Sequence, residues 1–85
     1  MPEITRQQLI LALIPAGANP RLSGVNLQQL DMTRLDLSGA NLRQAFCTGA
    51  NLRVTNLRSA NLFYADFTLA QMPGADLNRA NLTGA

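Results

Sequence analysis

The 85-residue chain has no histidine, no lysine and a single cysteine, Cys47. Without histidine there is no Cys–His nucleophilic pair and no conventional cluster of metal ligands. One cysteine cannot close an internal disulfide, so nothing here demands an oxidising compartment. No apolar run approaches the roughly 18 residues that a membrane span needs. Charge is scarce as well. Seven arginines face four aspartates and one glutamate, and a net charge of +2 does not by itself imply a polyanion partner. A chain this short builds one small domain.

What is present is a register of five. From Ala40 to Leu62 the chain reads Ala40-Asn41-Leu42, Ala45-Phe46-Cys47, Ala50-Asn51-Leu52, Thr55-Asn56-Leu57, Ala60-Asn61-Leu62. The pattern runs without a slip from Pro20 to Ala85. With the large residue of each pentad called i, the i positions are Leu or, at Met32, Cys47, Phe67 and Met72, another apolar residue. Ten of the thirteen i−1 positions are Asn or Asp, and five of the six glycines stand at i+2.

A period of five fits neither regular element. On an α-helix, residues five apart are offset by roughly 140°, so the leucines would spiral around the surface. On a straight strand an odd spacing sends successive leucines to opposite faces. Every i residue stays inside only if the chain turns once per pentad. Glycine at i+2 supplies the positive φ that tight turns need, and Asn or Asp supplies side-chain bonds to nearby backbone. Units of this kind bury their apolar face only by stacking.

Residues 1–19 differ in character. Thr5 and Gln8 have the spacing of a capping box, and Ile4 and Leu9 that of the accompanying hydrophobic staple. Leu9, Ile10, Leu13 and Ile14 fall on one helical side. Pro15 is expected to stop the helix and Gly17 to loosen the chain, which predicts a helix over 5–14. A signal peptide is the competing reading, since Ala16-Gly17-Ala18 follows the apolar stretch. Glu3 and Arg6 leave its n-region without excess positive charge, and the apolar core is at or below the lower limit, so a helical end-cap is favoured. The expected division is a cap and linker at 1–19 and a repeat domain at 20–85. The expected location is cytoplasmic, with an exported or lumenal one still open.

The A(N/D)Lxx motif, as in Ala40-Asn41-Leu42-Arg43-Gln44 and Ala75-Asp76-Leu77-Asn78-Arg79, resembles the pentapeptide-repeat proteins over Pro20 to Ala85. That resemblance implies an all-β solenoid: a right-handed quadrilateral β-helix with four pentads per coil and i−2 and i pointing inward. Thirteen pentads then make about three coils behind a short N-terminal α-helix cap, a tower roughly 15 Å tall at about 4.8 Å per layer. Val25, Leu30 and Leu35, larger than the alanines at later i−2 sites, are expected to fill the open end and meet Leu9, Ile10 and Leu13. At the other end the sequence stops in mid-motif. Three readings stand there: an end protected by self-association, a frayed last coil, or a fragment of a longer protein.

Stacked at four pentads per coil, the outward residues Phe46, Phe63, Tyr64 and Leu69 are expected to gather around one corner, with Arg43 directly below Phe63 and able to lie on its ring. Exposed apolar patches tend to mark interaction sites, and Phe, Tyr and Arg are enriched at interface cores. The plainer reading is that Phe63 and Tyr64 shield neighbouring coils. Arg34 and Arg53 on one side, and Arg58 and Arg79 on the next, could be taken as a phosphate-binding strip. Asp31, Asp36 and Asp76 share those sides, so a solvated mixed-charge face is favoured. Asn41, Asn61 and Asn81 align as a structural ladder, Met32 and Met72 as core filler, and Cys47 as an inert inward thiol. The aspartates are a coil or a side apart, with no neighbour to raise a pKa.

The sequence is therefore read as non-enzymatic, with no catalytic residue, cofactor or metal. Its candidate contact residues are Arg43, Phe46, Phe63, Tyr64 and Leu69, or the open C-terminal coil. The partner is another protein or a second copy, as in a homodimer, with no membrane. The alternative is a nucleic-acid role, by weak binding through the arginines or by inhibition of a DNA-handling enzyme. Some bacterial members of the family inhibit DNA gyrase as acidic, DNA-like rods; this chain has the opposite net sign and little length. The family is abundant in cyanobacteria, where most members have no assigned role.

Overall fold

A computed structural model describes residues 4–16 and 20–85, with the side chains of residues 12 and 14–16 excepted. The linker glycine Gly17 and the n-region's Glu3 lie outside the described residues, as does the side chain of Ile14.

Every pentad from Arg21 to Ala85 closes the same turn. The N–H of each residue at i+3 donates to the carbonyl of i, from Val25 to Leu22 at 3.2 Å through to Ala85 to Leu82 at 3.0 Å. The third residue of every such turn has positive φ, between 54° and 73°. That is the requirement of a type II turn, which glycine meets without strain. Eight of the thirteen are not glycine, among them Val54, Tyr64 and Leu69.

The turns put pentads on top of one another. Parallel bridges pair Arg21 with Asn41, Asn26 with Phe46, Asp31 with Asn51 and Asp36 with Asn56, each time twenty residues apart, and the offset continues up to Asn61 with Asn81. Each pentad that has another stacked on it, up to 60–64, is tied to it by three bonds. Leu22 N donates to Asn41 O at 2.7 Å, Gly24 N to Arg43 O at 2.8 Å, and Asn41 N back to Pro20 O at 2.8 Å.

Side chains sort accordingly. Leu42, Leu52 and Leu62 are at most 2% exposed, and Ala40, Ala45, Ala50 and Ala60 line the same interior. Thr55 is the one buried polar residue among those described, and its hydroxyl donates to the Met32 carbonyl at 2.7 Å. Burial fades toward the C-terminal side: Phe67, Met72 and Leu77 are half-buried and Leu82 is exposed.

Asn41, Asn61 and Asn81 stack in one column, bridged from layer to layer, and the expected side-chain bonds to nearby backbone form. All ten Asn and Asp residues at i−1 accept the N–H of i+1 in their own pentad, from Asn26 and Gln28 at 3.0 Å to Asn81 and Thr83 at 3.1 Å. These are Asx turns, which fix the bend locally. A net gain of about 0.5–1.5 kcal/mol per bond is typical.

α1 spans Arg6–Ala16. Thr5 caps it: Gln8 N donates to Thr5 Oγ1 at 3.1 Å, and Thr5 N to Gln8 Oε1 at 2.9 Å, the reciprocal pair expected of the capping box. The helix runs past Pro15, not ending at Ile14 as expected. Proline's φ is helical, and the overrun is only two residues, within the fraying expected at a helix end. Leu9 is fully buried in one core cluster with Leu30 and Leu35, with Ile4, Ile10, Leu13 and Val25 packed against it, while Leu11 is exposed. Arg6, which the sequence did not single out, reaches from α1 to the carbonyls of Asp31 and Thr33 at 2.9 and 2.8 Å. Among the described residues no helix is long and apolar enough to cross a membrane.

Val54 is a β-branched residue held at φ 57° with its side chain largely exposed. Relief of left-handed strain, of order 1–3 kcal/mol, exceeds the roughly 0.5–1 kcal/mol entropic cost of glycine. Val54→Gly should raise the urea midpoint at constant m-value, a gain of about 1 kcal/mol. A lowered midpoint would show that the valine's packing outweighs its strain.

Candidate functional site

The turn that carries Phe63 and Tyr64 places two aromatic rings at adjacent outward positions, i+1 and i+2. Asn61 fixes it by accepting the Phe63 N–H at 3.1 Å, and Tyr64 N donates to Thr83 O at 2.9 Å. The rings meet edge to face, with centroids 4.5 Å apart and planes at 76°. One layer below, the Arg43 guanidinium lies 4.9 Å from the Phe63 centroid, the stacking that the register implies. An exposed cation–π contact of this kind contributes about 0.5–1 kcal/mol.

Arg43, Phe63 and Tyr64 thus form a connected surface group. Phe46 begins the following side, bridged to Asp66 above it and 48% exposed. Leu69 takes the i+2 position of the next turn, one corner further on, and is 83% exposed. Tyr64 also has a structural task. A Cβ added to Gly84 would sit 2.8 Å from its ring carbons, so the phenol ring lies close over the Gly84 backbone. Tyr64, Asp66, Phe67, Thr68 and Gly84 line an open concavity on this side of the C-terminal coil.

Electrostatics around the group are modest. The Asp66 carboxylate accepts from the Thr68 hydroxyl at 2.5 Å and from its N–H at 2.9 Å, which holds its pKa below the ordinary value of 3.8. Asp31 and Asp36 are lowered the same way, by the hydroxyl and then the N–H of Thr33 and of Ser38. Burial pushes the Cys47 thiol up to about 12, with Asp66 adding to the shift, so it has almost no thiolate at neutral pH. Arg58 pairs with Asp76 at 3.7 Å, which partly cancels the basic strip, and both side chains are too exposed for that pair to contribute much. Among the described residues no group of three or more His, Cys, Asp or Glu side chains could hold a metal ion.

The pattern model of pentapeptide repeats matches eight copies over residues 21–58 and 50–85. The chain belongs to the pentapeptide-repeat family. No functionally curated relative matches it. Among solved structures, a pentapeptide repeat protein from the thylakoid lumen of Arabidopsis thaliana superposes with a TM-score of 0.76 at 33% identity, over 82% of this chain and 48% of that one. HetL, a pentapeptide repeat protein involved in heterocyst differentiation regulation in the cyanobacterium Nostoc, matches with a TM-score of 0.50 at 27% identity, over 73% of this chain and 36% of that one. The chain therefore spans about half the length of the first and about a third of the second. Family membership and these neighbours make the pentad stack a right-handed β-helix.

The lowered carboxylates have a consequence for acid stability. A depressed folded-state pKa stabilises above the unfolded value and the contribution is lost as pH falls through the folded one. The urea midpoint of the parent should drop as pH goes from about 6 to about 2, and Asp31→Asn/Asp36→Asn/Asp66→Asn should flatten that drop while keeping the Asx bonds. Equal slopes for parent and variant would mean that the three hydroxyl-bonded carboxylates carry none of it.

Proposed function

We propose that the chain is a non-enzymatic interaction module that binds a protein partner, or a second copy of itself, through its outward aromatic group or its C-terminal coil. The twenty-residue bridge offset supports reading the body as about three coils of a four-sided tower, with α1 as its N-terminal cap. On that scaffold almost every regular position is committed to turn, rung or core. The observation that carries the reading is an outward group that the turn does not require: Arg43, Phe63 and Tyr64 in contact, flanked by exposed Phe46 and Leu69. Aromatic and Arg side chains are enriched at interface cores. A family neighbour named for a regulatory role fits a protein that acts by contact. The thylakoid-lumen neighbour keeps a lumenal location alongside a cytoplasmic one.

Phe63→Asp puts a charge at the centre of the group and leaves rung and core bonds in place. It should keep the circular-dichroism spectrum and urea midpoint near parental values and reduce a dimeric parent to monomer mass in light scattering. For a monomeric parent it should abolish pull-down of the partner. An unchanged dimer mass removes the aromatic group as the contact. A salt-dependent gel shift lost on substituting Arg34 and Arg53 would transfer the function to nucleic acid.

A further inference from the structure

Of the eight non-glycine residues held at positive φ among those described, Val54 is the only β-branched one. For such a side chain that backbone region is a genuine outlier. Burial does not offset the strain, since Val54 is 56% exposed. Nor does the exposure come from an edge of the stack. The turn of Arg34 lies one layer below, and Val54 N donates to Pro73 O one layer above at 3.0 Å. A Cβ added to Gly74 in that upper turn would stand 3.4 Å from Val54 Cγ2, so glycine leaves the valine room rather than covering it.

Two cations flank this side chain. Arg53 precedes it in the same turn, and Arg34 N donates to Arg53 O at 3.0 Å, which sets the two arginines one layer apart. Both are exposed. The carboxylates expected to neutralise them are engaged elsewhere. Asp31 Oδ1 accepts from the Thr33 hydroxyl at 2.6 Å and faces Arg6 at 3.4 Å. Asp36 Oδ1 accepts from the Ser38 hydroxyl at 2.6 Å, and Asp76 pairs with Arg58 at 3.7 Å. Among the described residues neither the Arg34 nor the Arg53 guanidinium has a hydrogen bond, an ion pair or a ring contact. Two like charges on neighbouring residues thus lack an anion, beside an apolar side chain that the backbone holds under strain. Strain of this kind collects where a surface has a task other than folding.

We infer that Arg34, Arg53 and Val54 form a second contact surface, which receives an acidic segment of a partner protein. Carboxylates of that segment meet the two guanidiniums in the planar, two-bond geometry that arginine favours, and an apolar side chain between them packs on Val54. Two unpaired cations are few for a nucleic acid, whose binding rests on many phosphate contacts, and an exposed valine adds nothing to those. The surface goes beyond the aromatic group. Val54 stands two turns before Tyr64 in the chain, so Phe63→Asp leaves it intact, and its failure leaves the aromatic contact standing.

The test is an amide NMR titration of the full chain with a glutamate-rich peptide that carries leucine at its centre, against a lysine-rich peptide of the same design. The Arg34, Arg53 and Val54 amides should shift saturably with the acidic peptide and hardly with the basic one, and the shifts should fade as salt rises. Arg34→Gln/Arg53→Gln should weaken binding at least several-fold with the urea midpoint near its parental value. Val54→Gly should weaken binding too while raising the midpoint, a split that a merely structural valine does not produce. An acidic peptide that leaves these amides unmoved, or moves the Phe63 turn instead, overturns the inference. So does a Val54→Gly variant that binds as the parent does, or a short DNA duplex that shifts the same amides at lower concentration than the peptide.

Discussion

Thirteen times in succession this chain closes a carbonyl-to-amide bond across a turn whose third residue is left-handed. All other features depend on that repeated constraint. A bend at a fixed interval returns the chain to its own register after twenty residues, and only then do the rungs Leu22 to Asn41 and Asn41 to Pro20 exist. Only with the rungs in place can i and i−2 side chains share one interior. The Asn and Asp side chains at i−1 act ahead of any long-range contact, since they fix the bend with atoms two residues away. Local specification of this kind lowers the cost of forming contacts twenty residues apart.

The architecture leaves little surface to choice. Two of every five side chains point inward, a third is tied to its own backbone, and the last two ride on the turn. Variation free of these duties falls at i+1 and i+2 and at the three i−1 positions that are not Asn or Asp, Arg21, Phe46 and Gln71.

Much of this was legible before coordinates. The pentad spacing gave the turning chain, the inward leucines and the inert Cys47, and Thr5 and Gln8 gave the helix cap bond for bond. Arg43 over Phe63 followed from the stacking register. The bonds of Asn and Asp to nearby backbone, and the alignment of Asn41, Asn61 and Asn81, were legible too. Two things were not legible, each for a physical reason. The reach of α1 beyond Pro15 is a matter of two residues at a helix end, which residue type alone does not set. The Arg6 fork joins residues 25 and 27 positions apart in the sequence, outside the repeat, where no periodicity points to a partner. Geometry also spread the candidate group, since Leu69 belongs to the turn after Tyr64.

Strain then separates the members of that group. A left-handed backbone costs a non-glycine residue roughly 1–2 kcal/mol. Tyr64 recovers part of this by covering Gly84 and meeting Phe63 edge to face. That packing answers to the shielding account, while 58% of the tyrosine remains exposed. Leu69 has the same positive φ but leaves 83% of its surface in water, so it bears both the backbone strain and the cost of a solvated apolar side chain. No packing inside the described chain offsets either. Arg43 and Phe63 sit between these extremes, stacked on each other, the arginine exposed and the phenylalanine half-buried. Tyr64 thus answers partly to the fold, while Leu69, the most exposed large apolar side chain among the described residues, gains least from it.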